Sequence, residues 1–501
     1  MQDNQAQAII EDQLRKHPGV RDTEVFFDDR DGCVALVVPD DTYMDHISGR
    51  AASGANVLSK WRKTFDLSQL TKEAASAPVG FNTIGWNSSY TRQPIPTDEI
   101  REWVENTVRD ILQLAPKTVY EIGCGTGMLL MRIAPGCKRY AAADFSPVVL
   151  NRLREQLGTI PALAERVEVM ERSADNFDGI DDDSFDTVVL NSVAQYFPSA
   201  AYLTEVLEGA IRIVKPGGHI YIGDNRSLPL LPAFESSVEL FQAADAMRAE
   251  DLRTRTRRRE EREQELVLSP AYFLTLRHRH PKVSRVDIRP LGGRADNEMT
   301  RYRFAAILYI GGETKASTQE EFLDWTEYKW TLSEIRFMLM AHGNERIGIQ
   351  HIRNSRVEKD LAALAILRDA DNELSAAELR QRLEPTPVQG IHPQDLIDLE
   401  SEGLGYSVIL SWAACRPDGS YDACFVPKEL RQGITSPAIC WPEPEAREFM
   451  RLANAPGQGK MRNELIAQLL THCSQHLPPE LVPREITLVD SLARPCGKIE
   501  S

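Results

Sequence analysis

Between Thr118 and Asp224, strand-length apolar runs take turns with helical ones. The strand-like "TVYEIG" leads to the helical "MLLMRIA" and "RYAAAD" to "PVVLNRLREQL"; "RVEVME" and "FDTVVLN" are two further strands, and the helical "AYLTEVLEGAIRIV" returns to the strand "HIYIGD" after a "PGG" turn. Such an alternation predicts a parallel, doubly wound sheet with helices on both faces. Sheets of this kind bind ligands beyond the carboxyl ends of their strands, so those ends are where functional residues are expected. Two later strands, "SRVDIRPL" and "TRYRFAAILYIG", break the pattern. Only "GGRADNEM" separates them, too little for a crossover helix, so they predict an antiparallel hairpin at the edge of the sheet.

The first predicted strand ends in Glu121, and Gly123, Gly125 and Gly127 follow at alternate positions. A phosphate loop requires a lysine after its last glycine; Met128 stands there instead. A dinucleotide turn requires its third glycine to open the helix, so only a strained match to that pattern survives. S-adenosylmethionine carries no phosphate. Its ribose diol, adenine, methionyl end and positive sulfonium suit a glycine turn beside an acid. The other strand ends agree with it. Asp144, followed by Phe145, ends the second strand, where a carboxylate meets ribose hydroxyls. Ala174, Asp175 and Asn176 follow the third, where an adenine amino group is read, and Asn191 and Ser192 end the fourth, near the methionyl end. An Asp after a strand is by itself more often a helix cap. The weight lies in the ordered set.

Outside this region the reading is coarser. Residues 5–16 have helical spacing and precede two strands, "TEVFF" and "CVALVVP", joined by "DDRDG". Small polar residues at 48–56 make a joint, and a new section begins near Trp61. A helical insertion at about 230–275 carries the charge run "RAEDLRTRTRRREEREQEL", read as a solvated helix with ion pairs four residues apart. "RIGIQHI" and "GYSVILSW" read as strands and "EKDLAALAILRD" as a helix. A last helix (461–475) and the strand "REITLVDSL" precede "RPCGKIES".

The net charge of −16 argues against a nucleic-acid partner. Eight scattered cysteines form no C-x-x-C pair, so neither a zinc knuckle nor a disulfide framework is indicated. The polar start lacks a signal-peptide core, and no apolar run nears the roughly 18 residues of a spanning helix. A soluble, cytoplasmic protein without a membrane partner is expected. His472 and His476, and likewise His278 and His280, have spacings that suit a metal, but no third ligand is near, and no metal is expected.

The strand-end set, with "EIGCGTG" as first motif, resembles the class I S-adenosylmethionine-dependent methyltransferases. The phrases "GWNSSYTRQPIPTDEIREWVENTVRDIL", "DTVVLNSVAQYF", "ELVLSPAYF", "NEMTRYRF" and "HIRNSRV" look more narrowly like the methyltransferase domains embedded in nonribosomal peptide synthetases, over roughly residues 60–435. The two ends resemble parts of the small C-terminal subdomain of an adenylation domain: "IIEDQLRKHPGVRDTEVFF" the first, "LPPELVPREITLVDSLARPCGKI" the last. The resemblance implies four sections: 1–58 and 439–501 as two parts of that α+β subdomain, 59–316 as a Rossmann-like methyltransferase core, and 317–438 as a mixed α/β extension. It also implies methylation of a backbone amine on an aminoacyl group tethered by phosphopantetheine to a peptidyl carrier protein, beside an adenylation core domain. That core is absent from this chain, so no amino-acid activation is expected. Lys498 of the "GK" pair is either the acyl-adenylate lysine or an exposed structural lysine; Cys496 stands where the family usually has Asn.

A neutral acceptor amine needs a group to take its proton. The candidates are Glu298 and Asn297 on the hairpin tip, Tyr196 after the fourth strand, Asp224 after the fifth, and Tyr90 in the lead-in, with Glu298 first. Tyr302 lies in a strand, where packing is its expected role. Two other functions compete. Methyltransferase-like epimerases of these synthetases tend to lose the glycine motif, which is intact here. A non-catalytic spacer would have no need of the complete strand-end set.

Overall fold

The computed structural model describes residues 2–27, 33–40, 42–44, 54–311, 321–343, 345–431, 438–444, 451–456 and 458–489. The turn "DDRDG", most of the 48–56 joint, Cys496 and Lys498 lie outside them. Two compact units result. One gathers residues 1–57, 261–264 and 456–501; the other holds 58–260 and 265–455.

In the first unit, helix α1 (Gln2–Arg15) precedes the antiparallel strands β1 (Val20–Phe27) and β2 (Cys33–Pro39). Helix α2 (Gly54–Gln69) begins here and runs on into the second unit. Near the other end of the chain come the last labelled helix, α12 (Gln458–His476), and strand β14 (Glu485–Leu488). Strand β14 pairs parallel with β2, giving the order β1-β2-β14. Ile10 and Leu14 from α1 meet Leu465, Leu469 and Cys473 from α12 in one buried core over this sheet.

The second unit is built on a seven-stranded sheet. Its strands are β3 (Thr118–Ile122), β4 (Arg139–Asp144), β5 (Val167–Glu171), β6 (Phe185–Asn191), β7 (Val214–Arg226), β8 (Val283–Pro290) and β9 (Arg303–Ile310). They lie in the order β5-β4-β3-β6-β7-β9-β8, with β9 antiparallel to both neighbours. This is the class I α/β arrangement. Alternating side chains of one strand reach opposite faces. Tyr120 and Ile122 therefore enter one core and Val119 the other, and Ala141 and Ala143 are split from Tyr140 and Ala142 in the same way. Helices α3 (Thr97–Leu112), α4 (Pro147–Gly158) and α5 (Ala200–Ile213) cover the faces. Ser146 and Ser199 start α4 and α5 by accepting backbone N–H bonds, and Pro147 opens α4.

Four details differ from the sequence expectations. "MLLMRIA" forms only one α-helical turn, Leu130–Ile133, followed by a 3-10 turn at Ala134–Gly136, because Pro135 cannot continue the helix. "PGG" does not separate a helix from a strand; β7 already starts at Val214, and its register shifts between the partners of Phe185 and Thr187. The insertion is three helices, α6 (Leu231–Gln242), α7 (Ala249–Glu261) and α8 (Pro270–Arg279). The charge run on α7 is not held chiefly by pairs along its own helix: Arg255 and Arg259 bond Glu239 and Glu235, two buried carboxylates of α6. Finally, the hairpin is not a plain turn. Glu298–Tyr302 form a short helix, α9, and β9 starts only at Arg303. Asn297 caps α9, and Thr300 reaches back to the cap residue in a capping box.

The C-terminal section carries a four-stranded sheet of order β10-β11-β13-β12, from β10 (Phe322–Asp324), β11 (Ile347–Ile352), β12 (Tyr406–Ser411) and β13 (Tyr421–Pro427). Helices α10 (Leu332–His342) and α11 (Glu358–Asp369) accompany it. Among the described residues no helix is long and apolar enough to cross a membrane, and no cluster of His, Cys, Asp and Glu could hold a metal ion.

Candidate active site

The glycine turn after β3 needs its glycines. Gly123, Gly125 and Gly127 have φ of +73°, +50° and +80°, the left-handed region. A Cβ on Gly123 would sit 2.4 Å from a Val193 methyl, and one on Gly127 would sit 2.7 Å from a Leu153 methyl. Asp144, at the end of β4, pins this turn: Oδ2 accepts the Gly125 N–H and Oδ1 the Ser146 N–H, both at 2.9 Å. Its burial raises its pKa, and these N–H donors work against the rise. Glu121 lies below the turn, 3 % exposed, and accepts the Tyr140 hydroxyl at 2.8 Å. Burial pushes its carboxyl up to about 7.

The other cofactor candidates also sit at strand ends. Phe145 is half-buried after β4. Beyond β5, Ala174 packs against the core, Asp175 is exposed, and Asn176 accepts the Asp178 N–H in a local turn. Asn191 is the last residue of β6; its Oδ1 is buried and receives no hydrogen bond. Ser192, just past the end of β6, and Asp224, on the neighbouring β7, both have left-handed backbones, with φ of +56° and +63°. Such strain in non-glycine residues collects at functional sites.

Asp224 lies within β7, not after it, where the register shifts between the pairings of Ile222 and Asn225. It is fully buried. Its Oδ2 is held by the Ser192 hydroxyl and by Arg303 Nη1, whereas Oδ1 receives no hydrogen bond. Asp224, Glu265 and Glu298 all act electrostatically on Arg303, which draws the acids of β7 and α9 into one neighbourhood. Tyr196 belongs to it as well. Burial, then the nearby Glu265, push its hydroxyl up to about 12, so it stays a phenol near neutral pH.

Glu298 is 7 % exposed, not a solvated loop acid; both its oxygens face Ser89 of the lead-in. Asn297 is occupied by capping, and its Nδ2 donates to Glu99. Tyr90 shares hydrogen bonds with Ser237 and Tyr302, and burial raises its pKa. Tyr302, at the end of α9 rather than in a strand, donates to Asp360.

Sequence reading missed the cover of the site. The part of α2 beyond Leu58 lies across four strand ends. Phe65 Cζ comes within 3.9 Å of a Cβ built on Gly125, Asp66 accepts the Ser146 hydroxyl, Arg62 reaches Glu171, and Trp61 packs on Tyr196 with centroids 4.7 Å apart. The aromatic positions at i and i+4 of "WRKTF" were the available signal.

These residues fit S-adenosylmethionine. The turn brings backbone close without a phosphate-binding lysine, and Asn191 and Asp224 each keep a buried acceptor oxygen for hydroxyl or ammonium donors. Fold and site together define a class I S-adenosylmethionine-dependent methyltransferase. A family profile described as a methyltransferase domain matches residues 120–220. The chain is 36 % identical over 494 residues to chondramide synthase cmdD of Chondromyces crocatus, covering 95 % of this chain and 12 % of that protein. It is 27 % identical over 523 residues to the beauvericin nonribosomal cyclodepsipeptide synthetase of Beauveria bassiana, covering 97 % of this chain and 16 % of that one. Thus the chain spans less than a fifth of the length of either relative. Among solved structures, the N-methyltransferase NodS from Bradyrhizobium japonicum WM9 aligns at 16 % identity and a TM-score of 0.28, over 42 % of this chain and 97 % of that one, too slight a likeness to bear on function. The chain is a methyltransferase, similar over nearly its whole length to segments of nonribosomal peptide synthetases.

Proposed function

We propose that this domain methylates the backbone α-amine of an aminoacyl or peptidyl thioester, tethered through phosphopantetheine to a peptidyl carrier protein, during nonribosomal peptide synthesis. The observation that carries the reading is Glu298: a buried carboxylate beside the Asp224–Arg303 pair, brought from the far end of the sheet to the strand ends. A nitrogen acceptor must lose a proton, and of the five catalytic candidates only Glu298 and Asp224 are acids. Asp224 is bonded to Arg303 and Ser192, which suits positioning.

Bound S-adenosylmethionine supplies an electrophilic methyl on a sulfonium. Gly123, Gly125, Gly127 and Asp144 would hold its ribose side, Asp175 and Asn176 its adenine, and Asn191 and Ser192 its methionyl end. The amine nitrogen would take this methyl as the C–S bond breaks, with S-adenosylhomocysteine as the by-product. The ammonium proton passes to Glu298 and on to solvent. Holding both reactants in line supplies much of the acceleration.

The first unit supports a wider setting. The chain ends share one sheet, as expected if a methyltransferase is inserted into the small adenylation subdomain, with an adenylation core and a carrier domain as neighbours. Mass spectrometry of aminoacyl-loaded carrier proteins tests the reaction. A gain of one methyl, located on nitrogen by fragmentation, is expected; an inverted α-carbon with no mass change would mean epimerisation.

A further inference from the structure

The segment between β8 and α9 makes few hydrogen bonds of its own and is held by side chains from elsewhere. Glu102 of α3 accepts the Arg294 and Ala295 N–H groups, both at 2.8 Å. Gln394 accepts the Gly293 N–H at 2.9 Å. Three carbonyls go to one residue. Arg356, in "HIRNSRV" of the C-terminal section, donates from Nη1 to Leu291 O at 2.7 Å and to Thr300 O at 3.1 Å, and from Nη2 to Gly293 O at 2.5 Å. Arg356 is 7 % exposed. Its planar fork ties the start of the segment to the middle of α9, across the residues that include Asn297 and Glu298.

A second grip closes the other end of α9. Asp360, on the first turn of α11, accepts the Tyr302 hydroxyl at 2.5 Å and Arg301 Nη1 at 3.3 Å. Burying a guanidinium against carbonyls and the His392 ring, which accepts from Nε at 3.2 Å, is a costly way to stabilise a fold. Burial lowers the Arg356 pKa to about 10. An apolar side chain could fill the space, but it could not bond three carbonyls facing one point.

We propose that Arg356 is a positioning residue for methyl transfer: it fixes the 291–302 segment so that Glu298 meets the acceptor amine, with Asp360 as its second anchor. The proposal rests on the reading of Glu298 as proton acceptor. It assigns the C-terminal section a part in the reaction. A displacement of about 1 Å in a reacting group costs on the order of a hundredfold in rate, and a lysine's single nitrogen cannot stand in both places held by Nη1 and Nη2.

The test compares wild type with Arg356→Lys and Arg356→Ala in the full chain. S-adenosylmethionine affinity by calorimetry should stay within about twofold, because the grip does not touch the glycine turn. Hydrogen exchange should quicken at 291–302 and stay unchanged in β3 to β6. Turnover should fall about ten- to a hundredfold in Arg356→Lys. Added guanidinium should recover part of the turnover of Arg356→Ala. Unchanged exchange at 291–302, a wild-type rate in Arg356→Lys, or parallel loss of cofactor binding and core protection would each overturn the proposal. If Arg356→Ala does not fold, Arg356→Lys decides. A wild-type rate in Glu298→Gln would sink the underlying reading instead, whatever exchange shows at 291–302.

Discussion

Ser89 holds Glu298 by both oxygens: its backbone N–H donates to Oε2 and its hydroxyl to Oε1, each at 2.8 Å. A carboxylate gripped on two sides has one orientation and keeps lone pairs for a third partner. The pair joins the lead-in to α9, so the acceptor side of the site is assembled from segments far apart in sequence.

In Glu298→Gln the amide can keep both Ser89 contacts, accepting from the N–H and donating to Oγ, while losing the ability to take a proton. Turnover should drop by about 10²–10⁴, the usual worth of a positioned base. Cofactor affinity should hardly change. Raising the pH should restore part of the rate, since more amine is then already neutral; a loss without that recovery would make Glu298 a positioning group.

Asp144→Ala removes the acceptor of the Gly125 and Ser146 N–H groups and the proposed partner of the ribose diol. Hydrogen bonds to a charged group contribute about 1.5–3 kcal/mol, so S-adenosylmethionine should bind roughly ten- to a hundredfold more weakly. Calorimetry reads this directly. An unchanged dissociation constant would reduce Asp144 to pinning the glycine turn.

The roof helix gives a kinetic prediction. Phe65→Ala opens the space over Gly125 without touching the strand ends. Cofactor dissociation, followed by stopped flow, should quicken by about tenfold while the melting temperature moves little, as for a cover over a bound ligand. Dissociation at the wild-type rate would exclude α2 from the enclosure.

Glu121 makes stability depend on pH. Its folded value of about 7 lies above an ordinary value of 4.5, so between them the folded chain binds more protons than the unfolded one. Its stabilising contribution is complete below pH 4.5 and fades as pH rises through about 7. Glu121→Gln, which can still accept from Tyr140, should be more stable than wild type by roughly 3 kcal/mol at pH 8 and close to it near pH 4.5. Urea unfolding at both values checks this; an equal difference at the two would mean that Glu121 folds ionised.

The sequence displayed the parallel sheet and the glycine turn because both are written locally, in strand-length apolar runs and in glycines whose φ no other residue adopts easily. Asp144 and Asn191 were legible because strand ends follow from strands. What α2 covers was not, since "WRKTF" says that one face is apolar but not what lies beneath it. Glu298 looked like a loop acid for the same reason. Its burial depends on Ser89, and the placing of α9 on Arg356 and Glu102, and nothing in "GGRADNEM" names those partners. Likewise the arginines of α7 show their charge, but not that two buried glutamates of α6 are waiting for them.

The small sheet β1-β2-β14 sets an order of events. Glu485 pairs with Val34, so a ribosome must deliver everything between them before the third strand arrives. Until then Ile10, Leu14 and Val37 have half a core, and the first strands wait with an unpaired edge on β2. Contacts this distant form slowly from an open chain. A folded segment between them shortens the effective loop, so early folding of the second unit should ease the pairing of β14 with β2. Mutations that slow its folding should therefore surface as aggregation through the open edge of β2 before any loss of catalysis is visible.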